Sequence, residues 1–115
     1  MSVPVQSPRD PERRREFIDA VKALSDRQAV ELFHQCDVWA ATVGNGRKTI
    51  GVLNQRYDLV FVDCAPGPRV AAAYDTVRRE LILARLFDRG DVDCPQVAKA
   101  CADALGEPIN QLECY

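Results

Sequence analysis

Apolar residues keep two different rhythms along this 115-residue chain. From Asp10 onward they return at helical spacing, at Phe17, Ile18, Val21 and Leu24. Asp10 stands as an N-cap, Pro11 suits a first turn, and Glu12 sits near the positive end of the dipole, so a helix is predicted to start there. Ser25 with Gln28 three residues later reads as a capping box. A second helix is therefore predicted to about Cys36, burying Val30, Leu32 and Phe33 with Ala29 at a close contact. The rhythm then shortens. VWAATV (38–43), KTIGVL (48–53) and LVFV (59–62) predict three strands, and GNGR (44–47) supplies the positive-φ residues of a tight hairpin. Four apolar residues in a row at 59–62 predict a strand covered on both faces.

After the break at Gly67-Pro68, apolar residues at Val70, Tyr74, Val77, Leu81 and Ala84 again fit a helix. Ile82, Leu83, Leu86 and Phe87 widen its stripe, and Gly90 would stop it. A last helix is bounded by Asp93 and Pro95 at its start and by Gly106 at its end, burying Val97, Cys101, Ala104 and Leu105. The expected fold is α+β in the order ααβββαα: two N-terminal helices, a three-stranded antiparallel sheet and two C-terminal helices. It would form one small domain, 1–115, with segments 1–9 and 110–115 left to dock or fray.

Composition agrees with a folded domain, at 47% hydrophobic and 28% charged residues. No apolar run reaches the roughly 18 to 20 residues that a membrane span requires. The first residues lack the apolar core of a signal peptide, so a cytoplasmic protein without a membrane partner is expected. A net charge of −2 gives no global positive field to gather nucleic acid. Its distribution is uneven, with Arg9, Arg13, Arg14 and Arg15 near the front and Asp91, Asp93, Asp103, Glu107 and Glu113 toward the back. Cysteines at 36, 64, 94, 101 and 114 form no CxxC pair and are expected as thiols, with no metal and no cofactor.

The stretch YDLVFVDCAPG, residues 57–67, resembles the second nucleotide-binding strand of the ParA and MinD type ATPases. That resemblance implies a magnesium-assisting role for Asp63. The phosphate loop such a site needs would have to be GNGRKT (44–49), where Arg47 occupies a glycine position. A sequence separation of fourteen from Thr49 to Asp63 leaves no room for a crossover helix, so nucleotide hydrolysis is not expected. Gly67 and Arg69 before a helix would instead form a small anion site, unless Arg69 simply pairs with Asp63. The helix–strand–strand–strand–helix order is similar to that of double-stranded RNA-binding domains, but Asp75 and Glu80 interrupt the basic helix start those domains carry.

His34 is the single histidine and no glycine-rich nucleophile turn accompanies it, so no enzyme activity is expected. The expectation is a protein-binding regulator or inhibitor that docks on a larger macromolecular complex, of a kind carried by bacterial or phage-like mobile elements. Candidate partner-binding residues are Trp39, Tyr57 and Tyr74 as anchors, with Tyr115 as a further one, and Arg69, Asp91 and Asp93 around them. The alternative is a nucleic-acid-binding module using Arg9, Arg13, Arg14 and Arg15. A second is an accessory subunit or an anion-binding domain at the 63–69 turn. Homo-oligomerisation through an exposed strand is also open.

Overall fold

A computed structural model describes residues 2–42, 49–88 and 90–115. Its elements run β1 (Val5–Gln6), α1 (Pro11–Lys22), α2 (Asp26–Ala41), β2 (Gly51–Leu53), β3 (Tyr57–Asp63), β4 (Arg69–Asp75), β5 (Glu80–Phe87), α3 (Cys94–Leu105) and β6 (Leu112–Cys114). The strands make one mixed sheet in the order β1-β5-β4-β3-β2-β6. Among the described residues the β1–β5 pair is parallel, and β2–β3, β3–β4, β4–β5 and β2–β6 are antiparallel.

Both faces of the sheet are covered. On one, α3 lays Val97, Ala98, Cys101, Ala102, Ala104 and Leu105 over Leu53, Tyr57, Leu59, Ala71, Ala73 and Ile82. On the other, Phe17 of α1 and Leu32, Cys36 and Trp39 of α2 meet Val60, Val62, Val70, Ala72, Tyr74, Leu81 and Leu83. The period-two alternation of a strand sends neighbours such as Leu59 and Val60 into opposite cores. A bulge between Ala71 and Ala72 breaks the β4–β5 register, placing Ala71 across from Arg85 and Ala72 across from Leu83. The extra residue resets the alternation, so Leu83 and Leu86 both pack on the α1–α2 side.

The caps behave as their sequence demands. Asp10 accepts from the Arg13 amide at 3.0 Å, Ser25 and Gln28 close one capping box, and Asp93 and Gln96 close another. Gly106 ends α3 with φ +70°, a conformation glycine enters without strain.

Three expectations are corrected. The segment from Val70 to Phe87 is a β-hairpin, not a helix, so the sheet has six strands and the described residues form three helices. Strands buried on both faces carry apolar residues at almost every position, a pattern that also satisfies a wide helical stripe. Residues Val38–Ala41 continue α2 and form no strand, because Trp39 and Ala40 extend the buried face of that helix. The proposed GNGR hairpin lies outside the described residues. Finally, Cys94 and Cys114 form a disulfide across a sequence separation of 20, which fastens β6 to the start of α3. Cys36, Cys64 and Cys101 are buried thiols.

The first and last described strands are tied in by backbone bonds. Leu81 donates to the Pro4 carbonyl at 2.9 Å and Val3 to the Ala40 carbonyl at 3.1 Å, fixing β1 between β5 and α2. At the other end Tyr115 donates to the Ile50 carbonyl at 3.0 Å.

Candidate functional site

The densest polar cluster surrounds Asp75, a fully buried carboxylate at the end of β4. Its Oδ1 accepts from Arg56 Nε at 3.0 Å and from the Val77 and Arg78 amides at 3.0 and 3.1 Å. Its Oδ2 accepts from Arg56 Nη2 at 2.8 Å and Arg9 Nη2 at 3.1 Å. Burial pushes its pKa up, but the Arg56 bond, the Arg78 amide, the Arg9 bond and the Val77 amide together hold it well below the usual carboxylate range. Arg9 also donates to Glu80 at 2.6 Å and reaches the Tyr57 hydroxyl at 3.4 Å. Tyr57 in turn donates to Glu107, and burial together with that bond raises its pKa. The cluster joins the segment before α1 to β3, β4, β5 and the end of α3. Its acids and bases are matched to one another, so its chemistry is that of a clasp.

The anticipated partner-binding residues divide. Trp39, Tyr57 and Tyr74 lie inside: Trp39 and Tyr74 pack at 5.6 Å between ring centroids, and Tyr57 belongs to the clasp. Arg69, Asp91 and Asp93 are brought together around a shallow depression of about 250 Å³ that also takes in Gly90, Val92 and Gln96. Within it the Arg69 guanidinium stacks 4.6 Å from the Phe61 ring and donates through Nη2 to the Gly90 carbonyl. Its buried Nε has no hydrogen-bond partner among the described residues. Asp93 is occupied as the N-cap of α3.

The 63–69 turn is held by its own backbone, with Gly67 donating to the Cys64 carbonyl at 2.9 Å and Ala65 to Asp63 Oδ1 at 3.0 Å. Arg69 stands directly across from Asp63 in the β3–β4 ladder. A strand follows the turn, so the helix N-terminus on which an anion site depended is absent.

Of the four arginines of the basic alternative, Arg9 is consumed by the clasp and Arg14 donates to the Pro8 and Arg9 carbonyls. Arg13 pairs with Glu16 at 2.7 Å, and Arg15 is exposed. No group of three or more His, Cys, Asp and Glu side chains among the described residues could hold a metal ion. No described helix is long and apolar enough to cross a membrane.

Among the described residues, two open surfaces expose apolar side chains together. At one sheet edge β6 is exposed along its whole length, flanked by Ile109 and by Tyr115, which is 73% exposed. Leu112 and Glu113 line a depression there with Val52, Gln55 and Gln111. The opposite edge is different, since β1 is two residues long and braced by α2. The second surface is a groove of about 350 Å³ whose floor is β1 and Leu83 and whose walls are Phe17, Ile18 and Lys22 of α1 and Phe33 and Asp37 of α2. The helical periodicity of α1 and α2 located these walls but not their exposure. Sequence gave no sign of the β6 edge beyond the apolar spacing of Ile109, Leu112 and Tyr115.

This chain shares its fold with a RelE–RelB structure. The archaeal RelE–RelB complex from Pyrococcus horikoshii OT3 contains a chain 14% identical in sequence, aligned over 80% of this chain and 100% of that one with a TM-score of 0.59. At that identity the likeness is one of fold. No protein-family model and no curated protein sequence matches the chain.

Proposed function

We propose that this chain is a small non-enzymatic regulator or inhibitor that works by binding another protein, with the β6 edge as its docking strand. The open edge carries the reading. Its outer backbone N–H and C=O groups have no partner strand among the described residues, and such an edge adds an incoming strand through main-chain hydrogen bonds. Leu112 and Tyr115 offer side-chain contacts beside those bonds, and Glu113 favours a basic partner. The disulfide to Cys94 and the bonds from Asn110 and Gln111 to Asn54 hold the edge in shape before binding, which lowers the ordering cost.

The fold relative is a member of a two-protein complex, in keeping with a chain that acts within an assembly. A non-enzymatic reading is supported by the way the acids and bases of the Asp75 cluster are engaged with one another.

Affinity capture from the native host with the tagged full chain tests the proposal. One protein should co-purify in near-stoichiometric amount, and Leu112→Lys combined with Tyr115→Ala should release it while the circular dichroism spectrum is unchanged. Recovery of the chain alone, or a partner retained by that double variant, would refute docking at β6. Captured nucleic acid whose affinity falls steeply with salt would favour the basic alternative instead.

A further inference from the structure

We propose that the α1–α2 groove joins two copies of this chain in a two-fold symmetric dimer, on a face separate from the β6 edge. Two large apolar side chains that line the groove stand in the open, Ile18 at 42% and Phe33 at 50% exposure, and Val30 of α2, outside the lining, is 68% exposed. Val30 and Phe33 share one stripe of α2, with Asp26 a turn before and Asp37 a turn after them. Ile18 shares its stripe of α1 with Arg15 and Lys22. Of the charged residues that line the groove, Lys22 stands on the α1 wall and Asp37 on the α2 wall, with Asp19 next to Lys22 along α1 and Arg27 near the start of α2.

That asymmetry selects the occupant. A two-fold axis running along the groove sets α1 of each copy over α2 of the other, so Lys22 of one copy faces Asp37 of the second and the reverse pair forms by symmetry. Lys22 and Asp37 make no ion pair with any described residue within their own chain, leaving both available. In this arrangement the projecting Phe33 of each copy enters the other's groove, between Phe17, Ile18 and Leu83. The projecting Phe33 finds a hollow and Lys22 finds Asp37, and both pairings repeat by symmetry, as an isologous contact requires.

Sedimentation equilibrium of the full chain from micromolar to millimolar concentration tests the proposal. The expected result is a concentration-dependent rise from 12.8 kDa to twice that mass. Phe33→Asp should hold the mass at the monomer. Lys22→Asp and Asp37→Lys should each weaken the dimer at least tenfold, and the two together should restore it. Should Phe33→Asp fail to fold, the charge exchange at these two exposed positions decides alone. A chain monomeric at all concentrations, a dimer indifferent to Phe33→Asp, or a double exchange that restores nothing overturns the proposal. Partner capture through β6 persists in Phe33→Asp, so failure of this dimer and failure of the docking strand are told apart.

Discussion

Gly51 backs directly onto Cys94. A Cβ placed on Gly51 would sit 2.7 Å from Cys94 Sγ and 2.5 Å from the Glu113 carbonyl oxygen, inside the distance real side chains keep. The glycine is what lets β2, β6 and the disulfide occupy one spot. Gly51→Ala should therefore cost about 1–3 kcal/mol through overpacking, read as a lower denaturant midpoint under non-reducing conditions. A midpoint equal to that of the parent chain would show that β6 can shift freely.

The bridge itself constrains the unfolded chain. Replacing Cys94 and Cys114 together by Ser should lower stability by about 3 kcal/mol for a closed loop of this size. Hydrogen exchange should then quicken first at Leu112–Cys114 and at their β2 partners. Uniform quickening across the sheet would contradict that order.

Asp75 links stability to acid. Its carboxyl is lowered in the folded state, so below about pH 4 the unfolded chain takes up a proton that the folded one resists. The stabilisation is complete above the unfolded value of about 3.9 and is lost as pH falls from there toward the lowered folded value. Asp75→Asn should flatten the decline of stability below pH 4, measured by urea titration at several pH values. At neutral pH it should cost about 3 kcal/mol, the lower end for breaking a buried ion pair, because Arg9 and Arg56 keep partial access to solvent.

Burial governs the thiols. It pushes Cys36 up to about 12, helped by neighbouring Cys64 and Asp37, and it pushes Cys101 up to about 12 by itself. At pH 8 a thiol-alkylating reagent should therefore leave both unmodified in the native chain and label them only after denaturation. Mass spectrometry counts the adducts, and labelling of native Cys101 would mean that α3 opens readily.

The β2–β3 turn holds two non-glycine residues at positive φ, Asn54 at 53° and Gln55 at 54°. Asn54 repays the conformation, since its Oδ1 accepts from the Asn110 and Gln111 amides and its Nδ2 donates to the Pro108 carbonyl. No hydrogen bond of the Gln55 side chain is among those described. Gln55→Gly should raise the thermal midpoint, by up to about 1 kcal/mol of added stability. Asn54→Ala should lower it and loosen residues 108–111.

Local chemistry made α1, the start of α2, β3 and α3 legible, because Asp10, Ser25, Asp93 and Gly106 act within one or two turns of their own position. The β4–β5 hairpin was illegible for a reason visible in its turn. Val77 and Arg78 donate to Asp75, and Arg79 takes φ 57°, so neither glycine nor proline marks the reversal. The alanines at 71–73 favour helices in isolation, and burial between two layers of helix overrides that preference. β1 and β6 are two and three residues long, too short for any period, and their pairing is fixed by distant strands. Candidate site residues suffered similarly. An aromatic residue reads the same in sequence whether it anchors a core, as Trp39 does, or projects, as Phe33 does.

The parallel pairing of Val5 with Leu81 spans most of the chain. As a nascent polypeptide emerges, β1 has no neighbour until the hairpin that contains Leu81 has been made, and α1 and α2 must wait for the same sheet before their apolar stripes are shielded. The closing event is thus a long-range encounter reached late, of the sort that slows folding relative to helical bundles of equal size. During that interval the early helices are exposed to whatever apolar surface is nearby, a second nascent copy included.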